Sequence, residues 1–192
     1  MNEIQLIRNQ LAAERQHASA VANACASALG RAATRELTGA PELAELRQAG
    51  VEYLVCVLAW FEERDQRLSD FARARLAPED PARHALEEVL ARPGRSRDAL
   101  EKLEAAFGGA GAGTVPRAAP ALWQEFAEYF NSTWSARRDA VDGLLAPSLR
   151  AADWRAVAGI DADSILEERQ RYARVCATLA PGVTLPAAPP GS

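Results

Sequence analysis

Lysine is almost missing from this chain. Lys102 is the only one, and the rest of the basic charge is arginine. Histidine occurs twice, at His17 and His84. The formal net charge is −4, so a nucleic-acid-binding surface is not expected. The cysteines, Cys25, Cys56 and Cys176, are odd in number and match no zinc spacing. Each falls on an apolar helical face, and they read as small buried hydrophobes in a reducing cytosol. Long hydrophobic runs are also missing. The most apolar stretch, YLVCVLAWF from Tyr53 to Phe61, is far too short to span a bilayer. The start, MNEIQLIRNQ, has no signal-peptide apolar block. These absences point to a cytoplasmic protein without a membrane or nucleic-acid partner.

What remains is ordinary globular material: 192 residues, 48% hydrophobic and 25% charged, enough for one domain with its own core. Apolar residues recur at helical spacing, and no strand-like alternation stands out. The first helix starts near Asn2, an N-cap with Gln5 three residues on, and ends at Gly30 or near Thr38-Gly39. Pro41 suits the first turn of a second helix, whose stripe runs Leu54, Val57, Leu58, Phe61, Asp65, Leu68, Phe71. It stops before LAPEDP. Short helices are expected over 81–92 and 96–107. The Gly-rich stretch 108–120 reads as a flexible linker.

A third long helix is expected from about Ala121 to Leu145, with the stripe Trp123, Phe126, Phe130, Trp134, Arg137, Val141, Leu144. A short segment over 148–157 carries Trp154. The last helix begins near Asp161, with Ser164 and Glu167 at capping-box spacing and the stripe Ile165, Glu168, Tyr172, Val175, Leu179. Residues 183–192 read as a disordered tail, leaving one domain over 1–182. The economical packing is all-α: an antiparallel four-helix bundle with short additional helices between the second and third long helices.

Several polar residues interrupt the apolar stripes. Glu14 and His17 form an E-x-x-H pair on one face of the first helix. On the second helix Glu62 and Asp65 have the same spacing. If the two helices form a hairpin near Gly39, each pair lies roughly 22–26 residues from the turn, so both reach a similar height at about 1.5 Å per residue. Glu168 interrupts the last stripe. Isolated buried charges cost several kcal/mol each, so converging carboxylates need neutralising. A divalent metal does this, and oxygen with imidazole ligands suits iron or manganese. Glu14-x-x-His17 with acidic groups on facing helices resembles the ferritin-like and hemerythrin-like helical bundles. The resemblance covers the bundle pattern only. It implies a carboxylate-rich, histidine-poor centre ligated by Glu14, His17, Glu62, Asp65 and Glu168. Arg64, Arg137 and Arg169 lie near the same stripes and offer another neutralising set, a salt-bridge network that fixes helix register.

Tyr53, Tyr129 and Tyr172 are positioned to border a central pocket or cofactor and need hydrogen-bond partners if buried. GGAGAG lacks the Lys-Ser/Thr and preceding strand of a phosphate loop. His84 belongs to a short connecting helix outside the core. Three functional classes fit this pattern. The first is an iron- or manganese-binding bundle with oxidoreductase or sensing activity. The second is a non-catalytic adaptor or homo-oligomerisation module. The third is a small-molecule sensor with its pocket between the helices.

Overall fold

The computed structural model describes residues 2–34, 41–90, 98, 100–102, 105, 119–132, 137–159, 161–179 and 185. The regular elements among them are helices: α1 (Glu3–Thr34), α2 (Pro41–Arg75), α3 (Pro81–Leu90), α4 (Ala119–Phe130), α5 (Arg138–Leu145), α6 (Ala151–Ala158) and α7 (Ala162–Thr178). No described helix is long and apolar enough to cross a membrane. Most of the expected 96–107 helix and of the 108–120 linker lies outside the described residues. So does most of the tail, although Leu185 packs half-buried against the core.

Local chemistry explains the helix starts. Asn2 Oδ1 accepts from Gln5 N at 2.9 Å, the expected cap of α1. Asp80 Oδ1 accepts from Ala82 N at 2.8 Å, with Pro81 as the first helical residue of α3. At α7 the cap is Asp161, whose carboxylate accepts from Ser164 N at 2.8 Å. The expected Ser164–Glu167 box is therefore displaced by three residues, because Asp161 satisfies the first free N–H groups. α1 does not end at Gly30 but runs to Thr34.

The long helices pack antiparallel in pairs. Gly50 of α2 lies against Cys25 of α1, and Arg64 of α2 pairs with Glu14 of α1, so the two run antiparallel. α4 and α5 run along α1 in the opposite direction, with Asn131 Nδ2 donating to Asn23 Oδ1 at 3.0 Å and Arg15 reaching Asp142 at 2.8 Å. α7 runs against α2, where Arg171 donates to the Glu52 carbonyl at 3.1 Å. Arg67 donates to the carbonyls of Ala156 at 3.0 Å and Gly159 at 2.6 Å, tying the C-terminal end of α6 to α2.

The expected third long helix is not uninterrupted. Residues 131–132 and 137 wind in the wider π manner on either side of the undescribed 133–136. Asn131 and Ser132 are poor helix formers, and Ser132 Oγ donates to the Tyr129 carbonyl at 3.0 Å, competing with the helical ladder. A π turn absorbs an extra residue and rotates the later part of the helix. Val141 is buried as expected, but the neighbouring buried positions are Arg138, Asp142 and Leu145 in place of 137 and 144. Leu144, expected in the core, is 53% exposed, and Arg137 faces solvent.

Two apolar clusters make up the core. One holds Cys25, Leu29, Leu46, Leu54, Phe61, Trp123, Phe126 and Phe130 among others. The second holds Leu11, Leu68, Leu86, Val141, Leu145, Trp154 and Val157. Along α1 the break between them falls between Leu11 and Ala18, and along α2 between Phe61 and Leu68. Arg15, His17, Arg64 and Asp65 sit in those gaps. Only Cys25 behaves as a buried cysteine, its thiol pushed up to about 12 by desolvation. Cys56 is half-buried and Cys176 exposed, because their α2 and α7 positions turn away from the apolar seam.

Gly50 brings α2 close against α1. A Cβ there would lie 2.7 Å from Cys25 Sγ and 3.3 Å from Trp123 Cη2. Helix propensity alone favours alanine over glycine by about 1 kcal/mol. Overpacking works the other way, by about 1–3 kcal/mol. Gly50→Ala is expected to lower the urea midpoint, and Cys25→Ala in the same chain is expected to recover part of the loss. A rise in midpoint for Gly50→Ala alone would show that the seam yields freely.

Candidate functional site

The gap between the two apolar clusters holds two polar groups, each assembled from several helices. The first is a guanidinium–carboxylate network. Arg138 of α5, 2% exposed, pairs with Asp65 of α2 and, through Nε at 3.0 Å, with Asp142 one turn along its own helix. Asp142 also accepts from Arg15 of α1 at 2.8 Å, and Arg15 bonds to the more exposed Asp139. Arg64 of α2 pairs with Glu14 of α1 and donates to the Ala158 carbonyl at 3.0 Å, and Glu14 further accepts from Gln10 at 3.2 Å. Burial pushes the Asp65 carboxyl above the usual carboxylate range, against the pull of Arg138. Burial also opposes the charge on Arg138, but Asp65 and Asp142 outweigh it and hold that guanidinium firmly protonated.

The second group surrounds His17. Its imidazole, 4% exposed, lies 4.4 Å from the ring of Tyr172 on α7 and 6.3 Å from that of Tyr53 on α2, centroid to centroid. The two tyrosine rings are 5.9 Å apart. The Tyr53 hydroxyl donates to the Glu168 carboxylate, one turn before Tyr172 on α7. Glu168 is raised above the usual range, first by burial and then by the charge of Glu14, despite the Tyr53 hydrogen bond. Tyr53 is raised chiefly by burial and then by Glu168. His17 is lowered by burial. Neither His17 Nδ1 nor Nε2 has a hydrogen-bond partner among the described residues.

The predicted ligands are thus divided. Glu14, His17 and Glu168 converge at the junction of α1, α2 and α7, together with Tyr53 and Tyr172. Asp65 is paired with Arg138 in the arginine network, which also takes in Glu14 through Arg64. Glu62 is half-buried on α2 and has an interaction of its own, while Tyr129 lies half-buried on α4. His84 stays outside the core, its side chain 62% exposed. No group of three or more His, Cys, Asp or Glu side chains among the described residues is disposed to hold a metal ion. Of the arginines expected to neutralise the core, Arg64 does so, whereas Arg137 and Arg169 face solvent. Arg15 and Arg138 take that role instead. Arg15 is adjacent to Glu14 in sequence, and Arg138 enters through the one-residue shift at the π winding.

Arg138 offers the direct test of the network. Removing one member of a buried pair leaves a bare charge and costs about 3–5 kcal/mol. Arg138→Met is expected to lose that much in urea unfolding. Adding Asp65→Asn is expected to cost much less than a second such loss, giving a coupling above about 1 kcal/mol in the double-mutant cycle. Strict additivity would show that the pair does not act as a unit. Comparison with known proteins finds no matching family model, no matching curated protein and no matching solved structure.

Proposed function

We propose that this chain is a small-molecule-binding helical module. In this reading α1, α2, α4–α5 and α6–α7 form a four-helix bundle, and the ligand is recognised where α1, α2 and α7 meet. The observation that carries the reading is His17. A neutral imidazole has one N–H donor and one bare acceptor nitrogen. Leaving such groups buried and unsatisfied costs about 1–3 kcal/mol. Among the described residues neither ring nitrogen has a partner, and an apolar side chain at this position avoids that cost, so the imidazole supports a bound guest as its partner. Tyr53, Tyr172 and Glu168 flank it with two aromatic faces and a carboxylate. Together they suit a small molecule that both donates and accepts hydrogen bonds and carries apolar surface.

Iron or manganese binding is the alternative reading, but it draws less support from the geometry. Glu14 and Asp65 already have guanidinium partners and Glu168 accepts from Tyr53, so among the described residues His17 alone of the five expected ligands lacks a partner.

His17→Leu separates a binding residue from a structural one. Without ligand, the variant is expected to be more stable by about 1–3 kcal/mol, because it removes unsatisfied buried groups. The sign of the pH dependence is also set. The unfolded chain takes up a proton near the ordinary histidine value of 6.5, which the buried imidazole resists. The unfolded state therefore binds more protons below that value, and the wild type loses stability relative to His17→Leu as pH falls through it. In a thermal-shift screen of small hydrogen-bonding molecules, hits that raise the wild-type Tm are expected to leave His17→Leu unmoved. A variant less stable than wild type at pH 8, with the same hits, would assign His17 a structural role and overturn the reading.

A further inference from the structure

The charge balance around Glu168 narrows what the His17 site can hold. Glu168 of α7 is 8% exposed. Its hydrogen-bond donor is the neutral Tyr53 hydroxyl, and no arginine among the described residues forms an ion pair with it. The nearby arginines are engaged elsewhere. Arg171 pairs with Glu167 and donates to the Glu52 carbonyl, and Arg174 pairs with Glu52. Arg64 pairs with Glu14 and donates to the Ala158 carbonyl. Arg169 faces solvent and acts on Glu168 through space, more weakly than burial, Tyr53 or Glu14 does. In the arginine network, by contrast, Glu14, Asp65 and Asp142 each meet a guanidinium.

A buried carboxylate without a cation is costly. His17 is the base beside it, but burial works against its taking a proton. The junction thus combines an acid short of a countercharge, an imidazole with an unused acceptor nitrogen, and two phenol rings 5.9 Å apart. A countercharge, an acceptor for N–H and aromatic faces are together what recognises an ammonium group.

We infer that the guest of the His17 site is a small organic cation of the ammonium class, which donates N–H groups to Glu168 and to the acceptor nitrogen of His17 and lies against the rings of Tyr53 and Tyr172. The inference rests on the reading that a guest binds at His17, and adds the sign of its charge. An acceptor elsewhere on the guest takes the imidazole N–H. An anion meets Glu168, with Glu14 behind it, and a neutral guest leaves Glu168 without a countercharge.

The test compares charged and neutral guests of one shape on the whole chain. Butylammonium and phenethylammonium chlorides are expected to raise Tm saturably over sodium chloride at matched ionic strength, and butanol and phenethyl alcohol are expected to leave it unmoved. Glu168→Gln keeps an acceptor for Tyr53 but removes the charge, and it is expected to weaken the amine midpoint by about tenfold or more, the loss of one charge-assisted hydrogen bond. Alcohols that match the amines, or a Glu168→Gln variant that binds amines as tightly as wild type, would overturn the charge assignment. If those effects then vanish in His17→Leu, binding at His17 stands without it; if no compound shows an effect that depends on His17, both readings fall. A second measurement needs no variant. In the free wild type, His17 is expected to titrate by NMR below the ordinary histidine value of 6.5. Titration above that value would make the imidazolium itself the countercharge of Glu168, and the inference would fail.

Discussion

A guanidinium out of water must meet a carboxylate at the same height, because several kcal/mol of desolvation per ion is otherwise uncompensated. In this protein that requirement is met at one level of the helices. Arg15, Arg64 and Arg138, from three helices, reach Glu14, Asp65 and Asp142 in the gap between two apolar clusters. Apolar stripes tolerate sliding, since one leucine replaces another at modest cost. Charge pairs do not. A slide of one helical turn, about 5.4 Å, carries each arginine out of reach of its acid on the facing helix. The polar layer therefore sets the register of α1 against α2 and of α5 against both. The apolar clusters on either side supply most of the attraction.

The same layer explains why the two polar groups differ. In the arginine network each acid has a cation, and the network is close to electrically complete. Glu168, beside His17, instead accepts a hydrogen bond from the neutral Tyr53 hydroxyl. Burial consequently pushes Glu168 up and His17 down, both toward their neutral forms. A carboxyl and an imidazole whose charges burial disfavours, with two phenols, hold helices in register less firmly than paired charges do. The charge-paired groups and the hydrogen-bonded groups around His17 thus occupy separate parts of the buried layer.

Much of this was legible in the sequence. Helical periodicity, Asn2 and Pro41 placed α1 and α2, and equal distances from the Gly39 region put Glu14 level with the second helix's charged stretch. Glu14 does meet that stretch, but at Arg64 rather than at Glu62 or Asp65. Periodicity finds the face a residue occupies only while the winding stays regular. Past Phe130 it does not. The Asn131–Ser132 step widens the helix, and one extra residue turns Arg137 and Leu144 outward and Arg138 and Asp142 inward. Two of the network's central groups were hidden by that shift. Arg15 was hidden for another reason: α1 is packed on more than one side, so a residue next to the α2-facing stripe is also buried, against α5. A single apolar stripe does not report a second buried face.

The scarcity of lysine, which looks like a compositional accident, bears on what the network does. An ammonium is a compact point charge whose three N–H donors radiate from one centre. A guanidinium is a planar fork whose terminal nitrogens bind acids in one direction while Nε–H points in another. Arg138 uses both, its terminal nitrogen on Asp65 and its Nε on Asp142. Arg15 and Arg64 use only the terminal nitrogens and direct the remaining donor elsewhere. With lysine at all three positions the charge is unchanged, but the planar fork that spans acids on different helices is lost. The interior polarity of this fold thus depends on the geometry of arginine and not merely on its sign.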